Sequence, residues 1–386
     1  MRQSVFTIPE FSYLRKNAKR HLERFGIPTT KNENWSYVNL SKFGERNLTA
    51  KQKGHVLISG IQNKKGVRVV SLSDKHATFF VRRMISEKAK IKKLWQDSLE
   101  AINLLNINAG VVLIIDKRFK SDQPIVINNN GGHCRNLVII EQGAQATIFE
   151  KTVSADNNFI NNVTEVLLDP DTDVEWVQFQ NVEENIKSIK KTRFFIKEKS
   201  KLNFVYAGLG SQWSRQTVDA YLLEQNAKAD FYQLLTAFEN QHNEFYSCID
   251  HVNGQNEVNQ LTKMVVGANG KSVFSGKIKI RKNAQKAQSD QLSRSLLLSK
   301  NCRAINKPQL EIDADDVKAT HGAAYGNLQD EEIFYLQSRG ISKLQAEVLL
   351  TKGFVDEILL KVNNLKIRDF LSSVVHEKFN RMVHRG

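Results

Sequence analysis

Four stretches of the chain begin alike and recur at a nearly fixed interval. They are EQGAQATIFE from residue 141, DPDTDVEWVQFQ from 169, KEKSKLNFVYAG from 197 and EQNAKADFYQLL from 224. Each opens on a polar turn, passes through a small or polar residue and continues as a strand. The intervals are 28, 28 and 27 residues. A period of this length is the mark of a unit that cannot bury its own apolar face and must stack on its neighbours. Short β-rich runs such as GVVLIIDK, QPIVINN, RNLVIIEQ and TEVLLDP continue the pattern from about Gly110 to beyond residue 300, with no helical segment between them. GKIKIRK alternates strictly, with Ile278 and Ile280 on one face and Lys277, Lys279 and Arg281 on the other. The expectation is a β-solenoid, with a two-sheet sandwich as the alternative.

The two ends read differently. Phe11, Leu14, Ala18, Leu22 and Phe25 keep helical spacing, and Gly26 with Pro28 closes that helix. A second helical stretch spans roughly 74–106, with Phe79, Phe80, Ile91, Leu94, Trp95, Leu99, Ile102 and Leu105 as its apolar positions. After 325, Asp330, Glu331 and Glu332 put negative charge at a helix start. Ser342 with Gln345 forms a capping box for a helix over about 343–360, and a last helix follows over about 366–383. The expected organisation is a mostly helical 1–108, a β-solenoid core over 109–325 and a helical 326–386.

Composition bounds the function classes. At 41% hydrophobic and 25% charged, the 386 residues describe an ordinary globular chain. The start MRQSVFTIPEFSYLRK has no apolar leader core, and the longest aliphatic run, GVVLII, is far short of the ~18 residues of a membrane span. No membrane association is therefore expected. Three cysteines, at 134, 248 and 302, make no disulfide framework and point to a reducing cytoplasm. The net charge of +15 and pI near 9.5 favour anionic partners, yet lysines and arginines run from Arg2 to Arg385 with no nucleic-acid-binding motif. Nucleic acid is the lesser expectation, behind solvated faces and an acidic protein partner.

Catalytic motifs are few. GANGKS at 267–272 suggests a phosphate loop, but Val265 stands where its first glycine belongs and a strand follows instead of a helix. It reads as a turn, and no nucleotide is expected on this chain. Cys248, His251 and His242 have metal-compatible spacing, and His133–Cys134 follows a Gly-Gly turn; both groups read more simply as core and loop residues. No G-x-S-x-G elbow is present.

One long stretch carries a resemblance. NKPQLEIDADDVKATHGAAYGNLQDEEIFYLQSRGI, from Asn306 to Ile341, closely resembles the C-terminal signature of SufD proteins, components of the SUF iron–sulfur cluster assembly machinery. GIPTTKNENWSYVNL at 26–40 resembles the family's N-terminal G-x-P-x-x-K-x-E-x-W motif, and VFSGKIKIRKNAQKAQSDQLSRSLLLS at 273–299 its late coils. The resemblance implies a right-handed parallel β-helix between helical terminal domains. It also implies a non-catalytic scaffold that pairs with SufB through the β-helix ends and docks the ATPase SufC on helices at about 330–360. The implied complex holds two SufC subunits and assembles a transient cluster at the SufB–SufD interface; a homodimer is implied for the chain alone. Flavin, associated with the family, is left open by the residues. A basic β-solenoid binding nucleic acid or another anionic polymer is the alternative function.

The resemblance also gives His321 a role, as a nascent-cluster ligand facing the SufB subunit. Imidazole can ligate iron, and the small residues of T-H-G-A-A leave room for a second subunit. Ala319 and Thr320 stand where the family has cysteine and serine, so no thiol acts at 319. Cys302, in NCRAINKP, occupies the position of the SufB cluster-building cysteine. It reads either as a small buried hydrophobe or as a second interface ligand near His321. Gly322 and the K-P-Q-L-E-I run set the chain on the SufD side of the pair.

Overall fold

The repeat is one solenoid coil. In the computed structural model, which describes residues 9–40, 48, 54–62, 64–91, 97–153 and 159–383, each coil contributes one strand to each of two nine-stranded sheets. One sheet runs, in order, β1 (His55–Ser59), β4 (Ile125–Asn130), β6 (Gln145–Val153), β8 (Asp173–Gln180), β10 (Lys201–Gly208), β12 (Lys228–Ala237), β14 (Glu257–Val266), β16 (Gln288–Leu297) and β18 (Lys318–Gly326). The other runs β17 (Arg303–Ile312), β15 (Lys271–Ile280), β13 (His242–His251), β11 (Trp213–Leu222), β9 (Lys187–Ile196), β7 (Phe159–Leu168), β5 (Cys134–Ile140), β3 (Ala109–Ile115) and β2 (Val67–Ser71). Pairing is parallel from β3 (Ala109–Ile115) and β4 (Ile125–Asn130) onward. Its register sets Asp173 beside Gln145, Lys201 beside Asp173 and Lys228 beside Lys201. The sandwich alternative is therefore set aside.

The turns show why the sequence repeats. Gly143, Asp171, Lys199, Asn226, Gln255 and Lys286 form a column of left-handed residues, with φ between 56 and 70°. Short polar side chains and glycine tolerate that region best. Each is followed by a small residue turned inward, namely Ala144, Thr172, Ser200, Ala227, Asn256 and Ala287, all buried. Backbone bonds tie successive turns, such as Asp171 N–H to Glu198 O at 2.9 Å and Lys199 N–H to Gln225 O at 3.2 Å. Between the sheets, aromatic rings meet from coil to coil: Trp176 with Phe194 and Phe194 with Phe204 edge to face at 5.6 Å, then Phe204 with Phe231 tilted at 5.8 Å. Ile278 and Ile280 join this core, as their alternation predicts.

Among the described residues, six α-helices cover the outer faces. The first is α1 (Pro9–Phe25), closed by Gly26 at φ 63° with its N–H on Leu22 O. The expected 74–106 helix is two, α2 (Ala77–Lys90) and α3 (Ser98–Asn106); Leu94 and Trp95 lie outside the described residues. Two strands unforeseen in this region, β1 (His55–Ser59) and β2 (Val67–Ser71), pair antiparallel with β4 and β3 and finish the first coil's edges. At the other end come α4 (Asp330–Ser338), α5 (Lys343–Leu359) and α6 (Leu365–Val383); α5, α6 and the turn between them pack Ile358, Val362, Leu371 and Val375 on outward residues of the first sheet, among them Val177, Val205 and Val265. The Ser342–Gln345 capping box is present as read.

A buried charged layer bonds α2 and α3 to the second sheet. Arg193 of β9 (Lys187–Ile196) reaches Glu100 at 2.8 Å and Glu165 at 2.9 Å, and Arg135 reaches Glu165 at 2.7 Å. Lys88 pairs with Glu165, and Lys191 lies 3.3 Å from Asp219. The loop that follows α1 straps across the same sheet. Arg215 is stacked between the rings of Trp35 and Tyr246, 3.8 and 3.5 Å from their centroids, and donates to Asn34 O. Lys271 donates to Tyr37 O at 2.8 Å, and Lys307 pairs with Glu33 at 2.6 Å. Those contacts use the Glu and Trp of the G-x-P-x-x-K-x-E-x-W motif.

Candidate functional site: the open end of the solenoid

Among the described residues no further coil covers the last one. β17 (Arg303–Ile312) and β18 (Lys318–Gly326) each pair with one strand only among the described residues, β15 and β16, and so leave a free row of backbone donors and acceptors. Nearly every residue of β18 is exposed, whereas the strands of the middle coils are buried. Solenoid ends need a cap, and a bare edge strand invites another chain to pair with it.

His321 sits in the middle of that bare strand, beside Gln291 of β16 (Gln288–Leu297). Following the register back gives Gln260, Phe231, Phe204 and Trp176, an inward-facing column between the sheets. Side chains alternate along a strand, and Ala319, two residues before His321, packs on the solenoid core. His321 therefore tops the interior column, exposed because no further coil covers it, with no hydrogen bond or ion pair among the described residues. One rung below, Gln291 donates to Gln260 Oε1 at 2.8 Å, while its own Oε1 is a buried acceptor without a partner. That oxygen can accept from an imidazole N–H and so leave the other ring nitrogen facing outward as a ligand. Thr320, on the opposite face, hydrogen-bonds Asp290. A Cβ on Gly322 would meet only Leu292 Cδ1, at 3.4 Å, so the chain's own packing asks for no glycine there; the space is on the outer side.

Cys302 is elsewhere. It ends the turn before β17, its Sγ 3.0 Å from Ser299 O, in a cleft of about 560 Å³. Leu328, Ile333, Leu344 and Val348 line the same cleft. Across the last coil, Asn306 faces Ser295 and Tyr325, the latter's hydroxyl accepting from Asn306 N–H at 3.0 Å. Cys302 lies four residues before Asn306 and His321 four before Tyr325 on an oppositely running strand, so the two are about 26 Å apart along the strands at ~3.3 Å per residue.

The other sequence candidates resolve simply. Cys248 and His251 are three apart on β13 (His242–His251) and fall on opposite faces; His251 is buried and bonded to Ser289 at 2.9 Å. His242 lies 2.9 Å from Glu244. Cys134 is buried, which pushes its thiol up to about 12. GANGKS is the turn into β15 (Lys271–Ile280), where a Cβ on Gly270 would lie 2.2 Å from Ala237 O. Among the described residues no group of three His, Cys, Asp or Glu side chains is placed to hold a metal ion. Among the described residues no helix is long and apolar enough to cross a membrane.

Among the described residues the chain is a parallel solenoid with helices towards both termini and one end that no further coil covers. Comparison with known proteins gives the family. Residues 125–354 match the model described as SUF system FeS cluster assembly, SufBD core domain, and the chain belongs to that family. It is 32% identical over 235 residues to an iron-sulfur cluster assembly SufBD family protein of Synechocystis, covering 58% of this chain and 52% of that one. It is 31% identical over 241 residues to Protein ABCI7, chloroplastic, of Arabidopsis thaliana, covering 61% and 50%. These two matches span about half the length of each relative. Over a longer span it is 24% identical to the iron-sulfur cluster assembly protein SufD of Escherichia coli, across 372 residues that cover 88% and 87% of the two chains.

Proposed function

We propose that this chain is a SufD-type scaffold subunit of a cytoplasmic SUF complex. It pairs with a SufB-type paralogue over the open coil and holds His321 at the seam as a ligand for the nascent iron–sulfur cluster, which is cargo and not a resident cofactor. The observation that carries this reading is the exposed His321 on top of an interior column at the bare solenoid end. Covering that end with a second solenoid would satisfy the free edges of β17 and β18 and bury the imidazole between two proteins. In a single chain His321 and Cys302 are too far apart to bind one iron, so His321 is the ligand expected from this subunit at the seam. Cys302→Ser is expected to leave iron and acid-labile sulfide per complex within about twofold of wild type; a collapse of either would return Cys302 to the ligand set.

Chemistry then has to come from partners. The reading gives ATP hydrolysis to a SufC-type subunit docked on α4 and α5. This hairpin exposes Phe334 (72%), Tyr335 (58%), Leu349 (50%) and Leu360 (63%), an apolar concentration that a monomeric surface rarely carries without a partner. Phe334→Glu with Leu349→Glu is expected to abolish co-purification with the SufC-type ATPase while leaving the melting temperature within a few degrees of wild type. Retained ATPase binding would refute this docking surface.

A further inference from the structure

The charge of this chain is not evenly shared. Lysines and arginines do run from end to end, but residues 1–108 hold 21 of them against 8 acidic residues, a net of +13 out of +15. Residues 109–325 hold 26 against 25 and residues 326–386 hold 9 against 8, a net of +1 each. Helix α1 shows where part of this surplus sits. Tyr13, Lys16, Arg20 and Arg24 follow one another at three- and four-residue steps and share one exposed ridge, opposite the buried Phe11, Leu14 and Ala18. Like charges at four-residue spacing oppose helix formation, so the ridge is a cost to the isolated fold. Lys16 and Arg20 form no ion pair among the described residues. The acids of α1 are engaged beside the ridge, Glu10 with Arg82 and Glu23 with Lys19 at 3.9 Å. Phe25, 61% exposed, closes the ridge, with the Arg24 guanidinium 5.0 Å from its ring centre.

We propose that this ridge is a docking surface for an acidic protein partner, separate from the open coil and from the α4–α5 hairpin. Lys16 to Arg24 spans about 12 Å, and a helix with glutamates four residues apart presents carboxylates at the same interval. Tyrosine, phenylalanine and arginine are residue types enriched at protein interfaces. Insertion into a lipid surface is disfavoured because the apolar face of α1 is already spent on the fold. A nucleic acid strand calls for a cationic groove, and this ridge is convex.

The test uses the full chain and its Lys16→Glu/Arg20→Glu/Arg24→Glu variant, whose altered side chains are exposed. Fluorescence anisotropy at low salt compares three labelled probes: a helical peptide with glutamates at four-residue spacing, a single-stranded oligonucleotide and phosphatidylserine vesicles. The peptide is expected to bind best, to weaken at least about tenfold in the variant, and to lose affinity as salt shortens the screening length. Lys16→Gln/Arg20→Gln/Arg24→Gln, which adds no negative charge, is expected to fall between the two. Peptide affinity unchanged by the substitutions, or absent from wild type, overturns the proposal. Tighter binding of the oligonucleotide, with the steep salt dependence of phosphate contacts, or of the vesicles, overturns it equally.

Discussion

Complexes built with His321→Ala are expected to form in normal yield and to hold at least about tenfold less iron and acid-labile sulfide than wild type. The two halves of this expectation come from the same geometry. His321 is exposed and makes no hydrogen bond among the described residues, so its removal leaves no cavity and no orphaned partner there, and exposed substitutions of that kind stay within about 0.5 kcal/mol. An effect on cluster content then reports ligation and not folding. Gln291→Leu extends the argument by one rung. It removes the buried Oε1 available to orient the imidazole and also the donor to Gln260, so it is expected to lower iron content less than His321→Ala and to cost some stability. Anaerobic purification followed by iron and sulfide assay, with native mass spectrometry of the same sample, separates the outcomes. Full iron content in the His321→Ala complex would sink the ligand role. A complex that fails to assemble would make His321 an interface residue instead.

The parts of the fold legible in the sequence were those written in local backbone chemistry. Asp171, Lys199 and Asn226 mark turns because the left-handed region must recur once per coil, and Gly26 and Ser342 mark helix ends for similarly local reasons. Strands β1 and β2 were missed because HVLIS and VRVVS are five residues each and owe their pairing to β4 and β3, far along the chain. Gln260, Gln291 and His321 read singly as polar residues in a β-rich region. Only alignment in steps of 29 to 31 residues from Phe231 turns them into one column that ends at the bare edge. His321 was therefore found through a family signature, and Gln291 was not found at all. The separation of Cys302 from His321 is likewise a matter of register. Nineteen residues of sequence say nothing about which ends of two facing strands they occupy.

Stability should prove most sensitive at a point the sequence did not advertise. Arg193→Met is expected to destabilise the protein by about 3–5 kcal/mol at neutral pH, because it leaves Glu100 and Glu165 charged and buried with one cation fewer. Arg193, in the middle of the charged segment KSIKKTRFFI, is only 1% exposed. Burial by itself would raise both carboxyls. Around Glu165 the charges of Arg135, Lys88 and Arg193 outweigh burial and hold it at about 2; around Glu100, those of Arg193, Lys191 and Lys88 hold the carboxyl well below its ordinary value. A carboxyl depressed in the folded state stabilises above its unfolded value of about 4.3 and loses that contribution as pH falls through the folded value. In Arg193→Met the depression shrinks, so part of the penalty is relieved when the carboxyls take up protons. The difference between wild type and variant should therefore be largest near pH 7 and narrower at pH of about 4.5. Urea melts at the two pH values measure it. Adding Glu100→Met to Arg193→Met should recover part of the loss at pH 7, since the second change removes a charge that the first left unpaired. An Arg193→Met difference that stays constant between the two pH values would show that lost packing, and not the unpaired buried carboxyl charge, sets the cost.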